Sequence, residues 1–137
     1  MESEPRWLTR LEVIAIAYDQ LIQHGGFQGL LEQAGLLDAA IGRPRNKYHY
    51  ETGADLADLA AAYAFAIVKT SHPFLDGNKR TGFMAAYTFL GMNGYDFTVR
   101  VPDVANIIFR LAAGRLTEEE LAAWFRANMQ PFISEEQ

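Results

Sequence analysis

Apolar residues recur along most of this chain at the three- and four-residue spacing of helices. The first run, Leu11, Ile14, Ala15, Tyr18, Leu21 and Ile22, follows Thr9-Arg10-Leu11-Glu12, which has the spacing of a capping box, and it stops at Gly25-Gly26. A second, short helix is expected from about Leu36 to Gly42, ending before Pro44 because a proline pushes its predecessor out of the helical region. From Asp55 to Lys69 the chain is rich in alanine and apolar on nearly every side, the pattern of a central helix buried by its neighbours. The next predicted helix runs from Asn78 to Met92, with Gly94 as its C-terminal cap. Tyr95 to Val99 is too short and aromatic for a helix and reads as a small strand. Pro102-Asp103 opens another helix that Gly114 ends, and Thr117-Glu118-Glu119-Glu120 is a second capping box that starts the last one. The pattern predicts an all-α fold of about six helices. Without internal repeat or linker, the 137 residues read as a single domain, 1–137.

Composition removes several classes of function. With 50% hydrophobic and 21% charged residues the chain is a folded globule and not a disordered segment. A net charge of -5 argues against a nucleic-acid binder, which needs a basic face. No cysteine is present, which excludes disulfides and thiolate metal sites and suits a reducing cytoplasm. The start, Met1-Glu2-Ser3-Glu4-Pro5, lacks the basic and apolar regions of a signal peptide, and the longest apolar run, Leu59 to Val68, is too short to span a bilayer. A soluble, cytoplasmic protein is expected.

The chemistry is concentrated between the central helix and the one after it, in His72-Pro73-Phe74-Leu75-Asp76-Gly77-Asn78-Lys79-Arg80. His72-Pro73 ends the preceding helix, and Gly77-Asn78 offers the tight turn from which the next begins. A helix N-terminus carries unpaired N–H groups and the positive pole of the helix dipole, so it attracts anions. Lys79 and Arg80 sit in that first turn, where each cation is disfavoured by about 0.3–1 kcal/mol. Two cations against the positive pole, beside a metal-competent carboxylate at Asp76, make sense if phosphates with a divalent ion occupy the space. His72 then has the place of a general base, the role an imidazole most often fills. Taken singly, each residue has a plainer reading: Asn78 as a helix cap, Lys79 and Arg80 as a solvated first turn, His72 as a loop histidine bonded to backbone.

Together the residues resemble the central motif of the Fic/Doc family, His-x-Phe-x-Asp/Glu-Gly-Asn-Gly/Lys-Arg, matched by His72, Phe74, Asp76, Gly77, Asn78, Lys79 and Arg80. A chance match at those places is on the order of one in a billion windows. Lys79 replaces the glycine usual in the nucleotidyl-transferring Fic enzymes, and Phe83 stands where those enzymes carry a second arginine. Both departures are similar to the death-on-curing (Doc) toxins. The segments Gly25-Gly26 through Ala39-Ala40-Ile41-Gly42-Arg43 and Leu90 to Gly94 also look like Doc, so the likeness covers most of residues 10 to 125.

The resemblance implies a compact Fic-type helical bundle and a toxin that transfers the γ-phosphoryl group of ATP to a Ser/Thr hydroxyl of a protein, an elongation factor Tu-like target whose modification blocks translation. In that reading His72 takes the proton of the acceptor hydroxyl. Asp76 holds Mg²⁺, and Gly77, Asn78, Lys79 and Arg80 cradle the phosphates of ATP, while Phe74 pins the loop into the core. Lysine at 79 fills the hole that nucleotidyl transferases use for the α-phosphate, which puts the terminal phosphate at the point of attack. The alternatives are a Fic-type nucleotidyl transferase attaching AMP to a protein hydroxyl, and a non-enzymatic interaction domain that keeps the fold. No self-inhibitory Ser/Thr-x-x-x-Glu-Gly/Asn segment is recognisable, so restraint is expected from a separate Phd-like antitoxin with an inhibitory C-terminal segment.

Other candidates carry less. The resemblance allows a small β-hairpin flap over Arg43 to Glu51, whose edge would align the target by strand addition; a polar loop covering the core is the plainer alternative. His49 is given no catalytic role, and His24 reads as a capping or surface residue. Trp7 and Trp124 read as core, and Thr70 and Ser71 as bonded to solvent or backbone.

Overall fold

A computed structural model of the chain describes residues 3–24, 34–74 and 77–132, and of His24 and Ala34 the backbone alone. Among these residues lie six α-helices, α1 (Arg10–His24), α2 (Ala34–Tyr50), α3 (Leu56–Phe65), α4 (Asn78–Met92), α5 (Val101–Ala112) and α6 (Glu118–Asn128). A π-helical turn, Ala66–Thr70, prolongs α3, and two short strands, β1 (Tyr95–Phe97) and β2 (Met129–Pro131), follow α4 and α6. The all-α expectation and the helix count both hold.

The axis of the molecule is α3. Its residues Ala57 and Leu59 to Ala64 are buried, and burial continues through Ala66, Ile67 and Val68. Alanine is the reason this works: it favours the helix and keeps its surface thin, so that α2, α4 and α6 can all pack against it. Asp55 caps α3 by accepting from the Asp58 N–H at 2.9 Å, and Asp58 returns the bond to the Asp55 N–H at 3.0 Å. The two capping boxes read from the sequence are also present, Thr9 with Glu12 at 2.8 and 3.1 Å and Thr117 with Glu120 at 2.9 and 3.0 Å. Trp7 and Trp124 are partly buried against the core, as expected.

The structure corrects the reading of residues 34–51. The second helix does not stop before Pro44; it runs through it to Tyr50. Pro44 removes one backbone donor, but tertiary contacts hold the helix beyond it. Arg43 and Lys47 reach the largely buried Glu118 carboxylate of α6 at 2.7 and 3.2 Å, the Arg45 guanidinium lies over the Trp7 ring at 5.5 Å, and the Tyr48 ring meets Trp7 edge-on. Burial works to lower the Lys47 pKa, yet the Glu118 and Glu51 carboxylates raise it above its usual value. Residues 43–50 are therefore helical, so neither the flap that the resemblance allowed there nor the plain polar loop is found: their main chain is taken up in α2 and not free for strand addition. The small sheet lies elsewhere. Strand β1 pairs antiparallel with β2, Tyr95 opposite Pro131, Asp96 opposite Gln130 and Phe97 opposite Met129, which confirms a strand within Tyr95 to Val99 and ties the exits of α4 and α6 together.

Candidate functional site

Backbone geometry changes character where α3 ends. The Ser71 N–H bonds to the Ala66 carbonyl five residues back, at 2.7 Å, closing the π turn. Such turns shift the register of the following residues and recur at functional sites. His72 comes next with φ +47°, the one non-glycine residue of positive φ among those described. A left-handed conformation of this kind costs on the order of 1–3 kcal/mol and persists only where its surroundings impose it. Here Pro73 is buried immediately beyond, and Phe74 is anchored in the core at 1% exposure, the pinning role expected of Phe74. The exposed His72 side chain is left at the surface of a constrained corner.

The loop returns to α4 through two devices. Asn78 Oδ1 accepts from the Phe74 N–H at 3.1 Å, and Asn78 Nδ2 donates to the Phe74 carbonyl at 2.8 Å. Its amide thus closes the loop as a neighbouring backbone would. Gly77 takes φ +81°, and its carbonyl accepts from the Thr81 N–H at 2.9 Å to start the helix. A Cβ at Gly77 would meet nothing nearer than Leu21 Cδ2 at 3.8 Å, so backbone conformation and not space calls for glycine.

A second glycine, which sequence reasoning missed, sets the depth of the site. A Cβ on Gly82 would lie 2.4 Å from Val68 Cγ2 and 3.2 Å from the Ala64 carbonyl oxygen. Helix α4 therefore crosses α3 and the π turn in direct contact, which fixes the start of α4 against the residues that present His72. A glycine inside an otherwise helical run was the available signal.

These elements enclose a cleft of about 310 Å³ lined by Val68, His72, Gly77, Asn78, Lys79, Arg80 and Ala112. The structure thus brings together His72 and the four expected phosphate-binding residues, and adds Val68 and Ala112 as apolar walls. Asp76, expected to hold the metal, lies outside the described residues. Lys79 and Arg80 are exposed and have no ion pair among the described residues, although they face the positive pole of α4. One turn in, the Thr81 hydroxyl is fully buried with no hydrogen-bond partner among the described residues. Thr70 is exposed, and His49 lies half-exposed beside Glu4 at 4.0 Å, away from the cleft residues. The His24 side chain is outside the described part. Among the described residues no group of three or more His, Cys, Asp or Glu could hold a metal ion, and no helix is long and apolar enough to cross a membrane.

Residues 7–90, more than half of the chain, match the Fic/DOC family. Toxin Doc of Mycolicibacterium smegmatis is 44% identical over 78 residues, a stretch that covers 53% of this chain and 59% of that relative. The match therefore spans less than two thirds of the relative's length. It joins a six-helix fold in which His72, Gly77, Asn78, Lys79 and Arg80 of the motif line one cleft and Phe74 anchors the loop in the core, and the chain belongs to the Fic/DOC family, with its likeness on the Doc side.

Proposed function

We propose that this chain is a Doc-type toxin of a toxin-antitoxin module, transferring the γ-phosphoryl group of ATP to a Ser/Thr hydroxyl of a protein. The observation that carries the reading is the cleft at the start of α4, where His72, Lys79 and Arg80 line one space. Cations at a helix N-terminus that have no ion pair among the described residues fit the phosphates of a nucleotide, which would remove the electrostatic conflict they create there. Asp76 is the residue the motif offers to Mg²⁺, an ion commonly held by one or two carboxylates and the substrate phosphates, where it would neutralise charge on the transferred group.

In this reaction His72 accepts the proton of the target hydroxyl as its oxygen bonds to the γ-phosphorus. The bond from that phosphorus to the bridging oxygen breaks, and ADP leaves with the electron pair. Lys79 and Arg80 stabilise charge on the phosphates, and Asn78 acts by fixing the loop between His72 and α4 through Phe74. The strained corner at His72 positions the imidazole before substrate arrives. An elongation factor Tu-like protein is the first target to try, and a Phd-like antitoxin the partner that would restrain the toxin in the cytoplasm.

Incubating the chain with Mg-ATP and a cell extract, with label on the γ-phosphate in one sample and on the α-phosphate in another, tests the reading. Transfer of the γ label alone supports phosphorylation. Transfer of the α label supports the nucleotidyl-transferase alternative, which Gly77 of the motif is also compatible with. No transfer of either, from a chain that binds Mg-ATP, supports the non-enzymatic alternative.

A further inference from the structure

Helix α4 carries a feature that phosphate binding leaves unused. The rings of Phe83 and Tyr87 are nearly parallel, with 13° between their planes and 6.2 Å between their centroids. Phe83 also packs on Phe97 at 6.0 Å, and Phe97 is held in turn by Trp124 and Phe125. The Phe83 ring is thus fixed by the core, whereas Tyr87 is 38% exposed.

Helix phase places the pair relative to the cleft. At about 100° per residue, Phe83 and Tyr87 fall between Lys79 and Arg80 in helical phase, one and two turns beyond these two cleft-lining residues. From Lys79 to Tyr87 the helix advances about 12 Å. One sector therefore presents cations first and then a pair of near-parallel aromatic rings, the inner one held by the core. A nucleotide has the same order of parts, phosphates first and an aromatic base at the far end. A lone exposed tyrosine would need no explanation; a stacked pair continuing a cationic row does.

We propose that Phe83 and Tyr87 form a stacking platform for the base of the nucleotide whose phosphates bind in the cleft. The inference rests on the phosphate-binding reading above and adds to it the place of the base. Stacking uses the π-face that every base has, so the platform binds purine nucleotides with little preference between adenine and guanine.

Calorimetric titration of the whole chain with Mg-ATP, Mg-GTP and magnesium tripolyphosphate, beside Tyr87→Ala and Tyr87→Phe, tests it. Tyr87→Ala is expected to weaken both nucleotides by about ten- to hundredfold, to leave tripolyphosphate binding unchanged, and to keep the melting temperature of the parent. Tyr87→Phe keeps the parent's affinities. Equal affinity of the parent chain for ATP and tripolyphosphate, or a Tyr87→Ala chain that binds ATP normally or loses ATP and tripolyphosphate alike, overturns the platform and leaves the cleft standing. A parent chain that binds none of the three ligands removes the cleft reading and the platform together.

Discussion

The two ends of α4 are built on opposite terms. At the C-terminal end Asn93 donates to the carbonyls of Phe89 and Arg6 at 2.8 and 3.0 Å and accepts from the Arg6 N–H at 2.9 Å. Nearby, the Arg126 guanidinium is held by Asp55 at 2.8 and 3.0 Å and by Asp58 at 2.9 Å. Arg6, Asn93, Asp55 and Arg126 border a hollow of about 960 Å³, larger than the cleft at His72. At the N-terminal end there is instead a histidine of positive φ, two cations at the positive pole and a buried hydroxyl without a partner among the described residues. Size of concavity does not separate the two ends; local conflict does. A fold tolerates such conflicts where a ligand or a reaction offsets them, and resolves its polar groups elsewhere.

The sharpest break in this comparison is His72→Ala. Loss of a general base is expected to lower the transfer rate by about 10²–10⁴-fold, equivalent to about 2.7–5.5 kcal/mol in the barrier. Because the His72 side chain is exposed and alanine keeps the same backbone strain at φ +47°, the melting temperature should hold while activity falls. Labelled-phosphate transfer and thermal melting, measured on one preparation, check it. A parallel loss of stability would return His72 to a structural role.

Next in size is Gly82→Ala, which puts a methyl group where Val68 Cγ2 already lies. Overpacking of this kind costs about 1–3 kcal/mol, read as a lower urea midpoint. The companion change Val68→Ala vacates the space, so the double variant should recover part of the loss, and the two effects should not add. Additive losses would mean that the contact between α4 and the π turn does not set the position of the site.

These residues also mark the limit of what the sequence made legible. Capping boxes, the span from Asn78 to Met92 and the turn at Gly94 are local, fixed by a few neighbours in the chain, and each was read correctly. The end of α2 was not, because a local rule at Pro44 is overridden by Glu118 and Trp7, residues distant in sequence. The cleft was legible as far as one contiguous motif reaches. Its walls at Val68 and Ala112, and the crossing at Gly82, belong to the packing of separate helices and leave no signature in the motif itself. The amide of Asn78 was expected to cradle phosphate; its bonds to Phe74 could not be foreseen from residue type.

Smaller effects distinguish the cations at the two ends. Lys79→Ala and Arg80→Ala each remove a charge from the positive pole of α4 and are expected to raise stability by about 0.3–1 kcal/mol while weakening ATP binding. Arg126→Gln should do the reverse, lowering stability without touching ATP binding, since its partners are the capping carboxylates of α3. Denaturant titration and calorimetry on the three variants separate the cases. Loss of stability in Lys79→Ala would place that lysine in an internal contact.

The smallest effect is also the most specific. Hydrogen bonds from Arg126 are the main reason that Asp55 has its pKa lowered from 3.8 to about 2, against an opposing effect of burial. A carboxylate with a depressed folded-state pKa contributes stability that is present above its unfolded value and lost as pH falls through the folded one. The window is therefore about pH 4 down to about pH 2. Asp55 and Arg126 are each about half exposed, so the contribution is modest, under about 1 kcal/mol, and salt screens it. In low salt, Arg126→Gln should flatten the fall in melting temperature across that window, because the carboxylate no longer gains from being charged. Arg80→Gln should leave the fall unchanged, since Arg80 has no carboxylate partner among the described residues. If both substitutions flattened it equally, the arginines at the two ends of α4 would be held alike, and the case for a cation kept available to phosphate would fail.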